Sequence, residues 1–235
     1  MSLYGTNPRY TWGVIRNAQL VPVYLPDWRL RVYVTADTAP QSELAVPPRV
    51  LKKLRLLDVQ IAKVSTKSTI MPRNWRLLAA IDQTLDYFLV RDADSRLSKR
   101  EAAAVRDWLS ASKKNMVYCI RDHPKHSEQA IVDGLWGGRP PLLSQQLHSH
   151  LRLALRTETA NDERNVLNDA LWPAVADSAY CHDSVSPCNR WTPPESRHPF
   201  PISRHGNEYL GQKYDQHQQP ASNDSYLLTE DVVCR

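Results

Sequence analysis

Apolar residues recur along the chain with two spacings, one typical of helices and the other typical of strands. In residues 10–20 they recur every three or four positions, which predicts a helix with one buried face. In residues 28–34 apolar and polar residues alternate strictly, which predicts a strand with one protected face. The two patterns then follow each other along the chain, so the sequence predicts an α/β fold.

The same patterns place further elements in the first half of the chain. The most apolar of them is the run DYFLV at residues 86–90, which predicts a central parallel strand covered on both faces. Ser98 is a favourable N-cap for the helix after this strand, and Glu101 completes a capping-box pattern. The other predicted elements are strands at residues 2–5 and 59–64 and helices at residues 48–57, 74–81 and 99–112.

Two aspartates, Asp92 and Asp94, follow the predicted strand at residues 86–90. Ligands of open α/β sheets bind at the carboxyl ends of the strands. A calcium loop would need an oxygen ligand where Arg96 stands and glycine where Leu97 stands, and an aspartyl phosphotransferase would have Thr or Val in place of Arg96. Two interpretations agree better with these residues, a plain polar turn and a Mg²⁺ or Mn²⁺ site for a nucleoside diphosphate. The ordered elements on both sides favour the second.

Composition narrows the class of protein. The chain has 235 residues, of which 42% are hydrophobic and 23% charged, as expected for one large globular domain. Its basic residues are dispersed despite a net charge of +5, so we predict no nucleic-acid partner but a surface suited to an anionic donor or an acidic membrane. The start of the chain lacks a secretory pattern, which predicts a cytoplasmic or membrane-peripheral protein. The 4 cysteines are irregularly spaced and are predicted to be reduced.

Eight segments of the chain have a recognisable pattern and together span most of residues 2–220. They are residues 3–5 with 10–18, 75–80, 90–97 with 100–105, 121–124, 134–138, 182–184, 197–201 and 211–212. In this order they resemble a family of nucleotide-sugar glycosyltransferases with the GT-A fold and a D-x-D motif. The resemblance implies a mostly parallel sheet flanked by helices, and the frequent prolines near the C-terminal end predict an irregular segment after it.

The resemblance also implies the domain organisation. Residues 1–220 would form a single GT-A-like domain, followed by a tail at residues 221–235. Within the domain we expect a nucleotide-binding half at residues 1–97, an acceptor half at residues 98–185 and a lid or irregular segment at residues 186–220. Frequent prolines in the last segment are typical of a lid that orders when the donor binds.

The donor site implied by the resemblance has a nucleotide-binding part and a metal-binding part. Asp94 is the first choice for a Mn²⁺ or Mg²⁺ ligand, and Asp92 would bind the ribose or the metal. His182 or Asp183 would supply a third ligand. Trp136 stands between Gly134 and Gly137, which would let a sugar ring stack on its aromatic face, and the alternative is a position in the core. The remaining residues expected to contact the nucleotide are Leu3, Tyr4, Gly5, Thr6, Arg76 and Arg91.

An inverting reaction would need a general base on the acceptor side. Asp162 is the first candidate, although Glu163 stands where the family has glutamine, and Asp133 and Asp122 are the alternatives. The predicted function is metal-dependent transfer of a hexose or deoxyhexose from a UDP-, GDP- or dTDP-sugar to a glycan or lipid-linked hydroxyl. Two alternatives stay open: a Mg²⁺-dependent phosphohydrolase or phosphotransferase with Asp92 as nucleophile, and a non-catalytic nucleotide- or sugar-binding module.

Overall fold

The protein has an α/β fold, as the sequence predicted, and its described residues divide into two compact units. The first unit comprises residues 1–76, 92–98 and 212–221, and the second comprises residues 77–91 and the described part of 99–211. The computed structural model describes residues 1–37, 39, 41–111, 114, 116–143, 145–156, 163–184, 191 and 196–221. Asp162, Cys188 and Cys234 lie outside these residues.

The first unit is built on two parallel strands, β1 (Arg31–Thr35) and β2 (Gln60–Val64). Two helices precede these strands in turn, α1 (Pro8–Tyr24) and α2 (Pro48–Leu56), both close to their predicted positions. Asn7 caps α1 by accepting from the backbone N–H of Arg9. The core of the unit joins apolar side chains of the chain start, α1, β1, α2 and the turn between Asp92 and Asp94, called the aspartate turn below. These side chains are Leu3, Val14, Ile15, Ala18, Val32, Val34, Val50, Leu54 and Ala93.

The second unit contains a mixed sheet of 5 strands. The strands are β3 (Phe88–Arg91), β4 (Val117–Arg121), β5 (Leu135–Gly138), β6 (Ala179–Asp183) and β7 (Arg197–His198). They lie in the order β3-β5-β4-β6-β7, with β5 antiparallel to both of its neighbours and β4, β6 and β7 parallel to one another. The prediction of a mostly parallel sheet with residues 86–90 at its centre is therefore wrong, since β3 stands at one end of the strand order.

The connections between the strands explain this mixture. The chain returns from β4 to β5 through residues 122–134, which contain one short 3₁₀-helix (Pro124–Glu128), and an antiparallel pair needs no crossover helix. Between β5 and β6 it passes through several helices, and parallel strands need a long crossover of this kind. The helices are α4 (Gln145–Ala154), α5 (Glu163–Asn165), a π-helix (Val166–Leu171), α6 (Trp172–Val175) and two 3₁₀-helices (Pro140–Leu142, Ala176–Ser178).

The remaining helices lie on either side of β3 in the sequence. The predicted helix at residues 74–81 is a 3₁₀-helix (Pro72–Ile81), and α3 (Lys99–Ser110) begins directly after Ser98, as predicted. Glu101 in the first turn of α3 is buried and pairs with Arg91. Among the helices of the described chain, none is long and apolar enough to cross a membrane.

Two of the cysteines form a disulfide, so the prediction of reduced thiols is wrong for this pair. Cys119 of β4 and Cys181 of β6 are direct neighbours in the parallel register, with their Cα atoms 4.6 Å apart. They are 62 residues apart in the sequence, so local spacing carries no signal for the pairing. The pairing depends on the register of β4 and β6, which brings the two Cα atoms within the distance that a disulfide spans.

Candidate functional site

Asp92 and Asp94 lie on a tight turn that directly follows β3 in the sequence and belongs to the first unit. The turn is closed at Ser95, whose backbone N–H (3.4 Å) and hydroxyl (3.1 Å) both donate to the backbone oxygen of Asp92. Asp94 is buried and Asp92 is partly buried, while Ala93 between them packs into the core of the unit. Both carboxylates are therefore held in fixed positions.

Helix α1 fastens the turn from one side through Asn17 and Gly13. The buried amide of Asn17 donates to the backbone oxygen of Ser95 (2.8 Å), and its oxygen accepts from the backbone N–H of Leu97 (3.3 Å). At Gly13 the helix approaches so closely that an added Cβ would lie 2.1 Å from the backbone oxygen of Ala93. The absence of a side chain at residue 13 thus sets the distance between the helix and the aspartate turn.

Replacing Gly13 by alanine should push the turn away from α1. We expect the free energy of unfolding to fall by about 1–3 kcal/mol, the usual cost of overpacking, even though alanine favours helices. Urea denaturation checks this result, with Gln19→Ala on the exposed side of the same helix as control. A Gly13→Ala protein as stable as the control would mean that the close approach does not constrain the turn.

Each aspartate is paired with an arginine of the first unit. Arg9 contacts a single oxygen of Asp94 through two nitrogens, Nε at 2.7 Å and Nη2 at 2.6 Å from Oδ2. Arg76 pairs through Nη1 with Oδ1 of Asp92. The other oxygen of each carboxylate faces Lys213, whose Nζ lies 3.4 Å from Oδ2 of Asp92 and 4.0 Å from Oδ1 of Asp94. The two carboxylates raise the pKa of Lys213, and Asp92 has the larger effect.

Lys213 comes from residues 212–221, which include the end of the predicted lid segment. The backbone of this segment is bound to the aspartate turn, because Tyr214 donates its N–H to the backbone oxygen of Asp94 (2.8 Å). Ser95 and Lys213 also form an antiparallel bridge. Arg96 adds a side-chain contact by donating to Gln218 (2.7 Å). The C-terminal part of the first unit therefore completes the surroundings of the aspartates.

This cluster has the carboxylate ligands that a divalent cation bound to a diphosphate requires. Lys213 holds its ammonium group between the two carboxylates, so the turn already accommodates a cation there. Protein sites for Mg²⁺ commonly use one or two carboxylates and complete the coordination with phosphate oxygens and water. Asp92 and Asp94 fit that role. Within the described residues, no group of three or more His, Cys, Asp or Glu side chains could hold a metal by itself.

The predicted nucleotide-binding turn lies in the same unit as the aspartates. Gly5 adopts a positive φ of 69° and donates its N–H to the backbone oxygen of Leu44 (3.1 Å). Tyr4 is exposed and meets Trp75 edge-to-face, with the ring centroids 6.2 Å apart. Ser2 accepts from the backbone N–H of Arg76 at 2.9 Å. The first unit thus brings the start of the chain, Arg76 and the aspartate turn together, with Leu3 buried and Thr6 exposed.

The other predicted site residues that the structure describes belong to the second unit. Arg91 is buried, donates to the backbone oxygen of Gly134 (2.8 Å) and lies 2.9 Å from the Glu101 carboxylate. Trp136 is buried in β5 and packs edge-to-face on Phe88, with the ring centroids 5.0 Å apart. Both side chains therefore support the core. Asp133 is partly buried and precedes Gly134, which has a φ of 72°.

His182, the predicted third metal ligand, is buried in β6 of the second unit. Both of its ring nitrogens have protein partners: Nδ1 lies 3.1 Å from the Tyr118 hydroxyl and Nε2 lies 3.2 Å from Oδ2 of Asp107. Burial lowers the pKa of His182 to about 4, although the Asp107 carboxylate acts in the opposite direction. Further positive groups near it, His198 and Arg100, lower the pKa as well.

The lowered pKa of His182 predicts a loss of stability in mild acid. In the unfolded chain His182 binds a proton near pH 6.5, and in the folded chain it does so only near pH 4. The contribution of neutral His182 to stability is therefore complete above pH 6.5 and is lost as the pH falls towards 4. This histidine should account for about 2 kcal/mol of the loss between pH 7 and pH 5. Urea denaturation of His182→Gln at both values should show a correspondingly smaller loss, whereas the exposed-site control His205→Gln should match wild type. Equal losses in all three proteins would contradict this assignment.

No model of a known protein family matches this chain, and no curated protein sequence matches it. The assignment of a function therefore depends on the residues and geometry of the first unit.

Three residues that surround the aspartates were not identified from the sequence: Arg9, Asn17 and Lys213. Arg9 lies in the first turn of α1, where a positive charge is unfavourable beside the positive end of the helix dipole. A basic residue at this position therefore suggests a nearby acidic partner. Asn17 is a polar residue on an otherwise apolar helix face. Both could have been recognised as residues with a specific partner. Lys213 carries no such signal, because it reaches the aspartates only through the path of residues 212–221.

Proposed function

We propose that this chain is a metal-dependent glycosyltransferase of the GT-A type. It would transfer a hexose or deoxyhexose from a UDP-, GDP- or dTDP-sugar to a glycan or lipid-linked hydroxyl. The observation that carries the proposal is the fixed pair of carboxylates, Asp92 and Asp94, each held by an arginine and together facing one cationic group. The ordered resemblance of the sequence to this family supports the same function.

The charges around the turn suit a diphosphate. Three basic side chains, those of Arg9, Arg76 and Lys213, surround two carboxylates, so the cluster carries one excess positive charge. Guanidinium groups bind phosphate oxygens through paired N–H donors, and an ammonium group binds them as a point charge. When bound, Mn²⁺ or Mg²⁺ would neutralise the charge that develops on the departing diphosphate. Asp92 and Asp94 would hold it.

The start of the chain would bind the nucleoside. The positive φ of Gly5 and its lack of a side chain let a ligand approach the backbone closely. Tyr4 exposes an aromatic ring beside this turn, against which a base could pack. Arg76 is bonded through its backbone to Ser2, so the phosphate-binding and nucleoside-binding groups are held together.

The acceptor side of the proposed reaction is assigned from the sequence. If the transfer inverts the anomeric centre, a carboxylate must take the proton of the attacking hydroxyl, and Asp162 or Asp133 would do so. Asp122 is less suited to this role, because its carboxylate is buried between Arg100 and Arg204.

The proposal is tested by measuring release of nucleoside diphosphate from UDP-, GDP- and dTDP-sugars, with and without Mn²⁺ and glycan or lipid-linked acceptors. We expect release from one donor that requires Mn²⁺ and rises with one acceptor, with a glycosylated product. Asp92→Asn should lose this activity, and Asp58→Asn, which changes an exposed ion pair, should keep it. Release of inorganic phosphate would instead indicate a phosphohydrolase. Binding without turnover would indicate a non-catalytic module.

A further inference from the structure

The ammonium group of Lys213 lies within 4.0 Å of both aspartates that would hold the metal of the proposed function. Each carboxylate directs one oxygen at an arginine, Oδ1 of Asp92 at Arg76 and Oδ2 of Asp94 at Arg9. The two other oxygens, Oδ2 of Asp92 and Oδ1 of Asp94, lie 3.4 Å and 4.0 Å from Nζ of Lys213. One ammonium group thus lies within 4.0 Å of both carboxylates.

Of the three basic side chains, Lys213 is the one that can withdraw at least cost. Its side chain is 50% exposed, compared with 32% for Arg9 and 11% for Arg76. Its contacts with the carboxylates are also longer than those of Arg9, which holds Asp94 at 2.6–2.7 Å. Partly exposed ion pairs contribute little to stability, so this ammonium group can move into water without a large loss.

Backbone hydrogen bonds hold Lys213 on the aspartate turn. On one side Tyr214 donates to the backbone oxygen of Asp94 (2.8 Å), and Ala221 donates to the backbone oxygen of Lys213 itself (2.7 Å). The bridge between Ser95 and Lys213 fixes the same residue against the turn. The ammonium group could therefore move while the residue stays anchored, and after displacement it would remain within reach of a ligand at the turn.

We propose that Lys213 is a built-in counter-ion that competes with a divalent metal for Asp92 and Asp94. This inference rests on the proposed function, and it makes Lys213 a positioning residue of the donor site. A free metal ion must displace the ammonium group, and it binds weakly for that reason. A metal bound to a diphosphate brings negative charge with it, so the displaced ammonium group gains a phosphate partner. The site therefore favours the metal–diphosphate complex over the free metal.

The experiment is a Mn²⁺ titration without nucleotide, followed by electron paramagnetic resonance and calorimetry. Lys213→Met removes the ammonium group and should bind Mn²⁺ about tenfold more tightly than wild type. Lys213→Arg keeps the positive charge and should bind Mn²⁺ like wild type. Lys67→Met is the matched control, since it removes the same charge from an exposed position of the first unit. Its Mn²⁺ affinity should equal that of wild type.

Two further variants make the result decisive. Lys213→Gln repeats the test with a polar side chain, and far-UV circular dichroism checks that each variant is folded. The double variant Lys213→Met with Asp94→Asn should lose the added affinity. The inference is overturned if Lys213→Met and Lys213→Gln bind Mn²⁺ no more tightly than wild type, or if Lys67→Met gains equally. Failure of this inference can be distinguished from failure of the proposed function. If wild type still releases a nucleoside diphosphate from a sugar donor in the presence of Mn²⁺, the proposed function stands and only the role of Lys213 is wrong.

Discussion

Replacing Asp122 by alanine should lower the free energy of unfolding by about 3–5 kcal/mol, because it leaves buried positive charges without their partner. The Asp122 carboxylate is fully buried and lies 3.0 Å from Nη2 of Arg100 and 2.9 Å from Nη2 of Arg204. It also accepts from the hydroxyl of Ser184 (2.6 Å) and from the backbone N–H of Leu210 (2.9 Å). One carboxylate thus joins α3, the end of β4 and the residues after β7.

Equilibrium urea denaturation followed by circular dichroism measures this effect. The matched control is Arg29→Ala, which also truncates one member of an aspartate–arginine pair, but an exposed one, with Asp58. It should change stability by no more than about 0.5 kcal/mol. If Asp122→Ala cost as little as the control, the buried network would not be a main source of stability in the second unit.

The elements that could be predicted are those with a complete local pattern. Helix α1 has Asn7 as its cap and Pro8 at its first position, and α3 begins directly after Ser98, so their starts can be found from neighbouring residues. Strand direction is different, since it depends on how distant segments pair. β5 consists of the residues LWGG, which read as a glycine-rich loop, yet it pairs with both β3 and β4 and makes the sheet mixed.

The same distinction explains the candidate site. Asp92, Asp94 and Arg76 belong to segments with their own recognisable pattern, and the structure brings them together in the first unit. Trp136 was expected to contact a sugar because glycines flank it, but those glycines allow close strand packing: a Cβ at Gly137 would lie 2.4 Å from the backbone oxygen of Phe88. The partners of the aspartates, Arg9 and Lys213, come from the two ends of the chain.

Asp94→Asn should weaken binding of the preferred nucleoside diphosphate in the presence of Mn²⁺ by at least about 100-fold, or about 2.7 kcal/mol. The substitution keeps the shape of the side chain but removes the charge that would hold the metal. It also leaves the guanidinium of Arg9 without the carboxylate that it contacts through two nitrogens. Binding without Mn²⁺ should change much less, because the basic side chains would bind the phosphates without the metal.

The central claim is that the turn carrying Asp92 and Asp94 is a metal-dependent diphosphate site. The most direct measurement is calorimetric titration of UDP, GDP, dTDP, CMP and ADP, with and without Mn²⁺, into wild type, Asp94→Asn and the exposed-site control Asp58→Asn. We predict that one nucleoside diphosphate binds wild type and the control in a Mn²⁺-dependent manner and that Asp94→Asn loses this binding. The account is contradicted if wild type binds none of these nucleotides, or if Asp94→Asn binds with Mn²⁺ as tightly as wild type.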